Sequence, residues 1–267
     1  MNYMNKILTW LFLDYLLLFM SLYFIYVNQF FILRDFLLAM ALVRCQYQHH
    51  DFAHGQFDKM LLFNKEITKF WFLLTTGIST EYWNDIKHMP HHINVNNFNI
   101  DPDDFQSRIS SNYKLVFLLL FPGMSIKSLL YLIKIQKFYT AFVNLIFLLL
   151  LFSFIYYYFL DYCLFSMFYL FTFALTQWFH HPKYYIQDSD PLRRQVLNSR
   201  NIRGHNFFIN YWMGGNDYQI EHHLYPKASR YELAELSKNV RHKYSSIYQE
   251  ITVYDAITEL FHFLTSS

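Results

Sequence analysis

Cysteine, glycine, proline and charge are all scarce in this chain. Two cysteines, Cys45 and Cys163, are present. They form no Cys-x-x-Cys pair, which excludes a zinc ribbon. Glycine and proline number six each in 267 residues. Charged residues make up 16%, below the usual quarter. The chain has no long run of one sign, and its net charge of +2 singles out no class of partner. No basic patch accompanies a nucleic-acid-binding motif, so nucleic acid is excluded as a partner. Neither an internal repeat nor a separate soluble domain is visible. What is abundant is apolar: 54% hydrophobic and 22% aromatic. That is the balance of a membrane protein with a substantial polar part. The aromatic excess has two readings, the lining of a lipid tunnel or a compositional bias toward Phe, Tyr, Asn and Ile.

The apolar stretches are long enough to count crossings. Ile7 to Cys45 is almost continuously apolar, too long for one helix of ~20 residues. Asn28-Gln29 divides it into spans of about 7–27 and 30–45. No small-residue cleavage site follows the first, so it reads as a membrane helix and not a signal peptide. Asp14 inside it is costly in lipid, and two settings would relieve it: a pair with Arg44, or a polar cavity. Ile67 to Ile78 is too short to span and suits an interfacial or re-entrant segment. Leu115 to Ile133 is broken by Pro122-Gly123 and by Lys127 and also reads as interfacial. Spans of about 138–160 and 163–179 follow, with a hairpin turn at Asp161-Tyr162. The fold class is therefore an all-α membrane protein: four transmembrane helices, interfacial helices, and a cytosolic helical cap. One domain covers 1–267, with 46–137 and 180–267 cytosolic. Every lysine and arginine except Arg34 falls on one side, which makes that side cytoplasmic. Both termini lie there, and Cys45 and Cys163 lie near opposite faces with no disulfide between them. Helices are expected in the tail at about 228–239 and 255–264.

Thirteen histidines are present, and most are clustered. His50 and His54 follow the second span at helical i, i+4 spacing. His88, His91 and His92 form a second group, and His180 and His181 follow the fourth span. Gln219-Ile220-Glu221-His222-His223 forms the last, flanked by Gly214-Gly215 and Pro226. A lone histidine is usually a satisfied polar residue. Paired histidines from separate segments at one membrane face point instead to a metal site. Eight ligands are too many for one ion and suit two. Soluble di-iron bundles use Glu and Glu-x-x-His as ligands, a pattern that the histidine clusters here do not have. A histidine-rich dinuclear iron site, or two separated irons, remains, able with dioxygen to remove hydrogen from an unactivated alkyl chain.

The clusters resemble the three histidine boxes of membrane fatty acid desaturases: His-Asp-x-x-His, His-x-x-His-His and Gln-x-x-His-His. Trp83, Asp101-Pro102-Asp103, Thr176-Gln177 and Leu224-Tyr225-Pro226 extend the likeness over about Gln46 to Leu264. The resemblance implies two Fe ions held by His50, His54, His88, His91, His92, His180, His222 and His223. It places Gln219 where many relatives have histidine, in contact with an iron-bound water or the metal. Asp51 and Glu221 are candidates for orienting imidazole N–H groups, or are ordinary polar neighbours. His49 and His181 stand beside proposed ligands and are able to substitute for them. His205, His242 and His262 read as surface or structural.

The implied activity is an O2-dependent acyl desaturase acting on a fatty acyl lipid, of front-end type by its Gln219 form. Two departures weaken that regiochemistry: Phe179 and Asp217 stand where relatives often carry Asn. No His-Pro-Gly-Gly haem motif is present, so a separate electron donor is expected, cytochrome b5 or a ferredoxin. Related families run hydroxylation on the same architecture. A non-enzyme alternative is a membrane metal-binding or transport protein. Transport would place its ligands near the midplane, whereas these histidines sit at the cytosolic rim.

Overall fold

A computed structural model describes residues 3–27, 30–55, 65–97, 100–102, 113–182, 184–204, 211 and 217–265. The chain is predominantly helical. In order come α1 (Tyr3–Tyr26), α2 (Phe31–Ala53), α3 (Lys65–Thr76) and α4 (Thr80–Tyr82). A π-helical turn, Trp83–His88, leads directly into α5 (Met89–Asn94). Then follow α6 (Tyr113–Lys134), α7 (Phe138–Tyr157), α8 (Phe159–His180), α9 (Pro191–Leu197) and β1 (Asn201–Arg203). Last come α10 (Gln219–Leu224), α11 (Arg230–Lys243), β2 (Glu250–Thr252) and α12 (Val253–Thr265). The chain packs as two compact units, Met1–Lys87 with Arg108–Thr172, and His88–Ser107 with Phe173–Ser267. Each unit is assembled from non-contiguous segments, so no boundary in the sequence divides them.

In the first unit α1 lies against α2, and buried polar groups fix the pair. Arg44 Nε donates to Asp14 Oδ1 at 2.8 Å, and Gln48 also donates to Asp14. Of the two settings for Asp14, the ion pair is the one adopted. Arg34, near the start of α2, pairs with Asp35 and with Asp161 in the first turn of α8. The chain turns at Tyr158, before the expected Asp161-Tyr162. Asp161 sits instead where a carboxylate favours the positive end of a helix. The tight turn after α3 depends on Gly77, whose φ is +67°. A side chain there would run into Phe147 of α7. Asn144 donates to the Gly77 carbonyl at 3.2 Å and to Ser125 Oγ at 2.7 Å.

Two further features differ from the sequence reading. α6 runs unbroken through Pro122, where a break was expected. Proline removes one backbone donor, and the helix continues past both Pro122 and Gly123, with a leucine run on the N-terminal side. The second difference is a short parallel pair, β1 with β2, in register from Asn201↔Glu250 to Arg203↔Thr252. An all-α chain was expected, and strands of three residues each carry no alternation for a sequence to display. Among the described residues, α7 is the helix long and apolar enough to cross a bilayer, and only 22% of it is buried. Phe142, Leu149, Leu150 and Phe152 point outward from it.

The second unit has two apolar clusters. Trp178, Phe179, Ile202, Ile251, Ala256 and Leu260 pack the end of α8, the strand pair and α12 together. Val196, Ile220, Val240 and Tyr244 join α9, α10 and α11. Helix starts here carry their own signals. Asp190 caps α9 ahead of Pro191, and Ser229 with Glu232 forms a capping box on α11. α11 and α12 correspond to the two tail helices expected from the sequence. Cys45 and Cys163 are both free thiols.

Candidate metal centre

The second unit gathers imidazoles from three segments. His88, His91 and His92 lie on a single helical turn, because residues three and four apart share a face. His222 and His223 come from α10. His181 follows the end of α8. Two groups form among them. His91, His181 and His223 present ligand atoms within 4.8 Å of one another, and all three are buried. Their ring centroids are 5.1 to 5.6 Å apart. His88, His92 and His222 form the second group, also within 4.8 Å, with the Nε2 atoms of His88 and His92 at 3.3 Å. The groups adjoin, since the His92 and His223 rings are 4.6 Å apart.

Each imidazole of the first group is anchored on one side. His91 Nδ1 lies 2.9 Å from both carboxylate oxygens of Asp101. That carboxylate is held in turn by the Asn96 N–H at 2.7 Å. His181 Nδ1 donates to the Asn198 carbonyl at 3.0 Å. His223 Nε2 lies 2.9 Å from the Gln219 amide, one helical turn away on α10. The opposite nitrogens, His181 Nε2 and His223 Nδ1, are buried and have no hydrogen-bond partner among the described residues. A buried polar atom without a partner costs about 1–3 kcal/mol. A metal ion would satisfy both nitrogens, and an anchored second nitrogen is the usual companion of a metal-bound imidazole. Turning the Gln219 amide so that Oε1 accepts from His223 Nε2–H leaves the Nδ1 lone pair for the ion.

The electrostatics agree. Burial pushes the His181 pKa down to about 4, helped by His91 beside it. His223 is pushed well below its ordinary value by burial, then by His92 and its other histidine neighbours. Both rings are therefore neutral at pH 7, the state in which imidazole binds a metal.

The first unit holds the remaining pair. His50 and His54 stack edge to face at the end of α2, with centroids 4.8 Å apart. His50 Nδ1 lies 3.4 Å from Asp51 Oδ1. Burial lowers the His54 pKa to about 4. His49 packs differently. Its ring lies flat on Phe72 at 4.7 Å, and Nε2 contacts Thr80 Oγ1 at 3.0 Å. That is a packed core histidine.

His180 and His181 are placed differently. His180 is the last residue of α8, and its carbonyl accepts from the Arg200 N–H at 2.8 Å. The helix ends there, and the turn directs His181 toward His91 and His223. Among the described residues, Glu221 takes its side-chain hydrogen bonds from Asn201 and Tyr248 and from no imidazole. His242 and His262 are exposed, as expected of surface residues. His205, Asp103 and Gly214-Gly215 lie outside the described residues.

Several contributors carried no signal in the sequence. Arg200 is buried and holds the last carbonyls of α8, with Nε donating to Phe179 O at 3.1 Å and Nη2 to Trp178 O at 2.5 Å. Gln195 donates to the His92 carbonyl at 2.9 Å. Asn96 donates to the Pro182 carbonyl at 2.9 Å, tying the loop that carries Asp101 to the segment just after His181. Each role depends on a partner distant in the chain.

Comparison with known proteins agrees with this geometry. A fatty acid desaturase 2-like protein of Mus musculus is 33% identical over 72 residues, covering 27% of this chain and 15% of that protein. No solved structure matches. The family profile described as fatty acid desaturase matches residues 28–254. The chain therefore belongs to the fatty acid desaturase family, whose members are oxidoreductases acting on fatty acids.

Proposed function

We propose that the chain is an integral membrane acyl desaturase. It uses O2 and two electrons to introduce a double bond into a fatty acyl lipid. The carrying observation is the buried His91–His181–His223 group, with its far nitrogens anchored and two near nitrogens left unpartnered. Two Fe ions are the proposed cofactor, held by His50, His54, His88, His91, His92, His222 and His223 together with a ligand from the His180-His181 pair. Its position beside His91 and His223 favours His181 for that last place. Bound iron would supply the activation of dioxygen that lets two hydrogens leave neighbouring carbons as water forms.

The chain's own residues have distinct tasks in this reading. Asp101, Asn198 and Gln219 fix the rings of their histidines, so the ligand set is ordered before the ion arrives. Burial keeps those rings neutral and excludes water from them. Asp51 orients His50. The apolar outer surface of α7 supports a crossing at 138–160. The Arg34–Asp161 pair supports placing the start of the second span and the 160–163 turn at one membrane face. Four crossings at 7–27, 30–45, 138–160 and 163–179 then leave both termini and the histidines cytoplasmic. There a separate cytochrome b5 or ferredoxin would deliver electrons. A front-end outcome follows from the Gln219 form of the third cluster.

The test is product analysis. Wild type and His222→Ala are expressed in a host of known fatty acids and fed saturated and unsaturated acids. New double bonds are then located by mass spectrometry. A new double bond made by the wild type alone is the expected result. A new hydroxyl in its place would reassign the reaction to hydroxylation on the same centre.

A further inference from the structure

We infer that Asn201 is a positioning residue for the third histidine cluster, setting the direction of α10 from outside that helix. The inference rests on the metal-centre reading above. α10 has six residues, Gln219–Leu224, and its N-cap residue Tyr218 supplies no side-chain capping hydrogen bond. A helix of that length does not hold itself in water, and its first amides need acceptors from elsewhere. Asn201 Oδ1 accepts the Ile220 N–H at 2.9 Å. The other end of the same amide donates to Glu221 Oε2 at 2.7 Å and to Tyr248 Oη at 2.6 Å. Tyr248 Oη closes the triangle by donating to Glu221 Oε1 at 2.8 Å. Asn201 therefore grips both the backbone and a side chain of the first turn, one residue before His222 and two before His223.

Asn201 is itself fixed. It is 2% exposed and lies in β1, where its N–H donates to Gln249 O at 3.0 Å. The next residue, Ile202, donates its N–H to Asp217 O at 3.0 Å, holding the approach to α10. Two of the three residues before Asn201 serve the other arm of the centre. Asn198 anchors His181 through its carbonyl, and Arg200 holds the end of α8. Asn198, Ser199, Arg200 and Asn201 are all buried. One short polar segment thus references His181 and His222-His223 to the same strand.

The experiment reverses the hydrogen bond. In Asn201→Asp the introduced carboxylate still accepts from Ile220 but faces the Glu221 carboxylate in a buried site, where two like charges repel. Adding Glu221→Gln restores one donor and one acceptor with the roles exchanged. Full-length wild type, Asn201→Asp and Asn201→Asp/Glu221→Gln are purified in detergent and stripped of metal. Each is titrated with Co2+ while its visible ligand-field spectrum and its helical circular dichroism are recorded. The single variant is expected to bind Co2+ about 10–100-fold more weakly with an altered spectrum, as for other groups that orient metal ligands. Its helix content should not change, and the double variant should regain most of the affinity. Wild-type affinity and spectrum in Asn201→Asp would overturn the inference alone. So would loss of helix content in step with loss of Co2+, which would make the residue merely structural. A wild type that takes up no Co2+ would remove the metal-centre reading and this inference with it.

Discussion

Asp101→Ala should separate an oriented metal ligand from a packed histidine. Asp101 is 6% exposed, and its carboxylate meets both His91 and Asn96. Both its oxygens face His91 Nδ1 at 2.9 Å, and Oδ2 accepts the Asn96 N–H at 2.7 Å. Removing it frees the His91 ring to rotate and to change which nitrogen carries its proton. Loss of such an outer partner typically costs 10–100-fold in metal affinity, about 1.4–2.7 kcal/mol. The Asn96 N–H is also left without its acceptor, which costs about 1–3 kcal/mol of stability. The two effects are separable. Asp101→Asn keeps an acceptor for Asn96, so it should recover stability more fully than metal affinity. Isothermal titration of the metal-free protein with Fe2+ under anaerobic conditions reads the first effect, and thermal unfolding without metal reads the second. His242→Ala, at an exposed site, serves as the control. Wild-type Fe2+ affinity in Asp101→Ala would refute the reasoning, because His91 would then need no orientation.

Other consequences follow from the same contacts. His181→Ala should lower iron per chain while His180→Ala leaves it near wild type; the reverse order, read by atomic emission, would restore His180 as the ligand. Asp14→Ala should destabilise the first unit by about 3–5 kcal/mol by removing the buried carboxylate that Arg44 pairs with, and Asp14→Leu/Arg44→Met should recover most of that. Equal losses in the single and double variants, measured as detergent unfolding temperatures, would contradict the pairing. Gly77→Ala should cost roughly 1–3 kcal/mol through its clash with Phe147, plus about 1–2 kcal/mol for a left-handed non-glycine residue. An unshifted unfolding temperature would show that the turn tolerates a side chain. Stability of the metal-free protein should fall on acidification. His49, His54 and His181 have pKa values lowered by burial to about 3, 4 and 4 from 6.5. The unfolded chain therefore binds more protons below pH 6.5. Their contribution is complete above about pH 6.5 and is lost as pH falls toward 4. A flat unfolding temperature across that window would exclude the effect.

The sequence revealed the parts of the site that repeat a spacing. His50 with His54, the His88–His92 run and His222-His223 stand out because helical periodicity puts them on shared faces. The tail helices were legible for the same reason, and so was the need of Asp14 for a partner. That His181 lies beside His91 and His223 was not legible, since it turns on where α8 stops and on a carbonyl at Asn198. Arg200 and Asn201 look like ordinary polar residues until the chain folds and their partners arrive from α8, α10 and the stretch before β2. The strand pair was hidden because three residues are too few to show a period of two. Pro122 misled in the other direction, because a breaker by local propensity was overridden by its neighbours.

The most direct test of the central claim is the metal content of the purified, folded chain. Wild type isolated from iron-replete cells should carry two iron atoms per chain, and His91→Ala/His181→Ala/His223→Ala should carry fewer with its helix content intact. A folded wild type without iron, or a triple variant that keeps the full complement, would contradict the account.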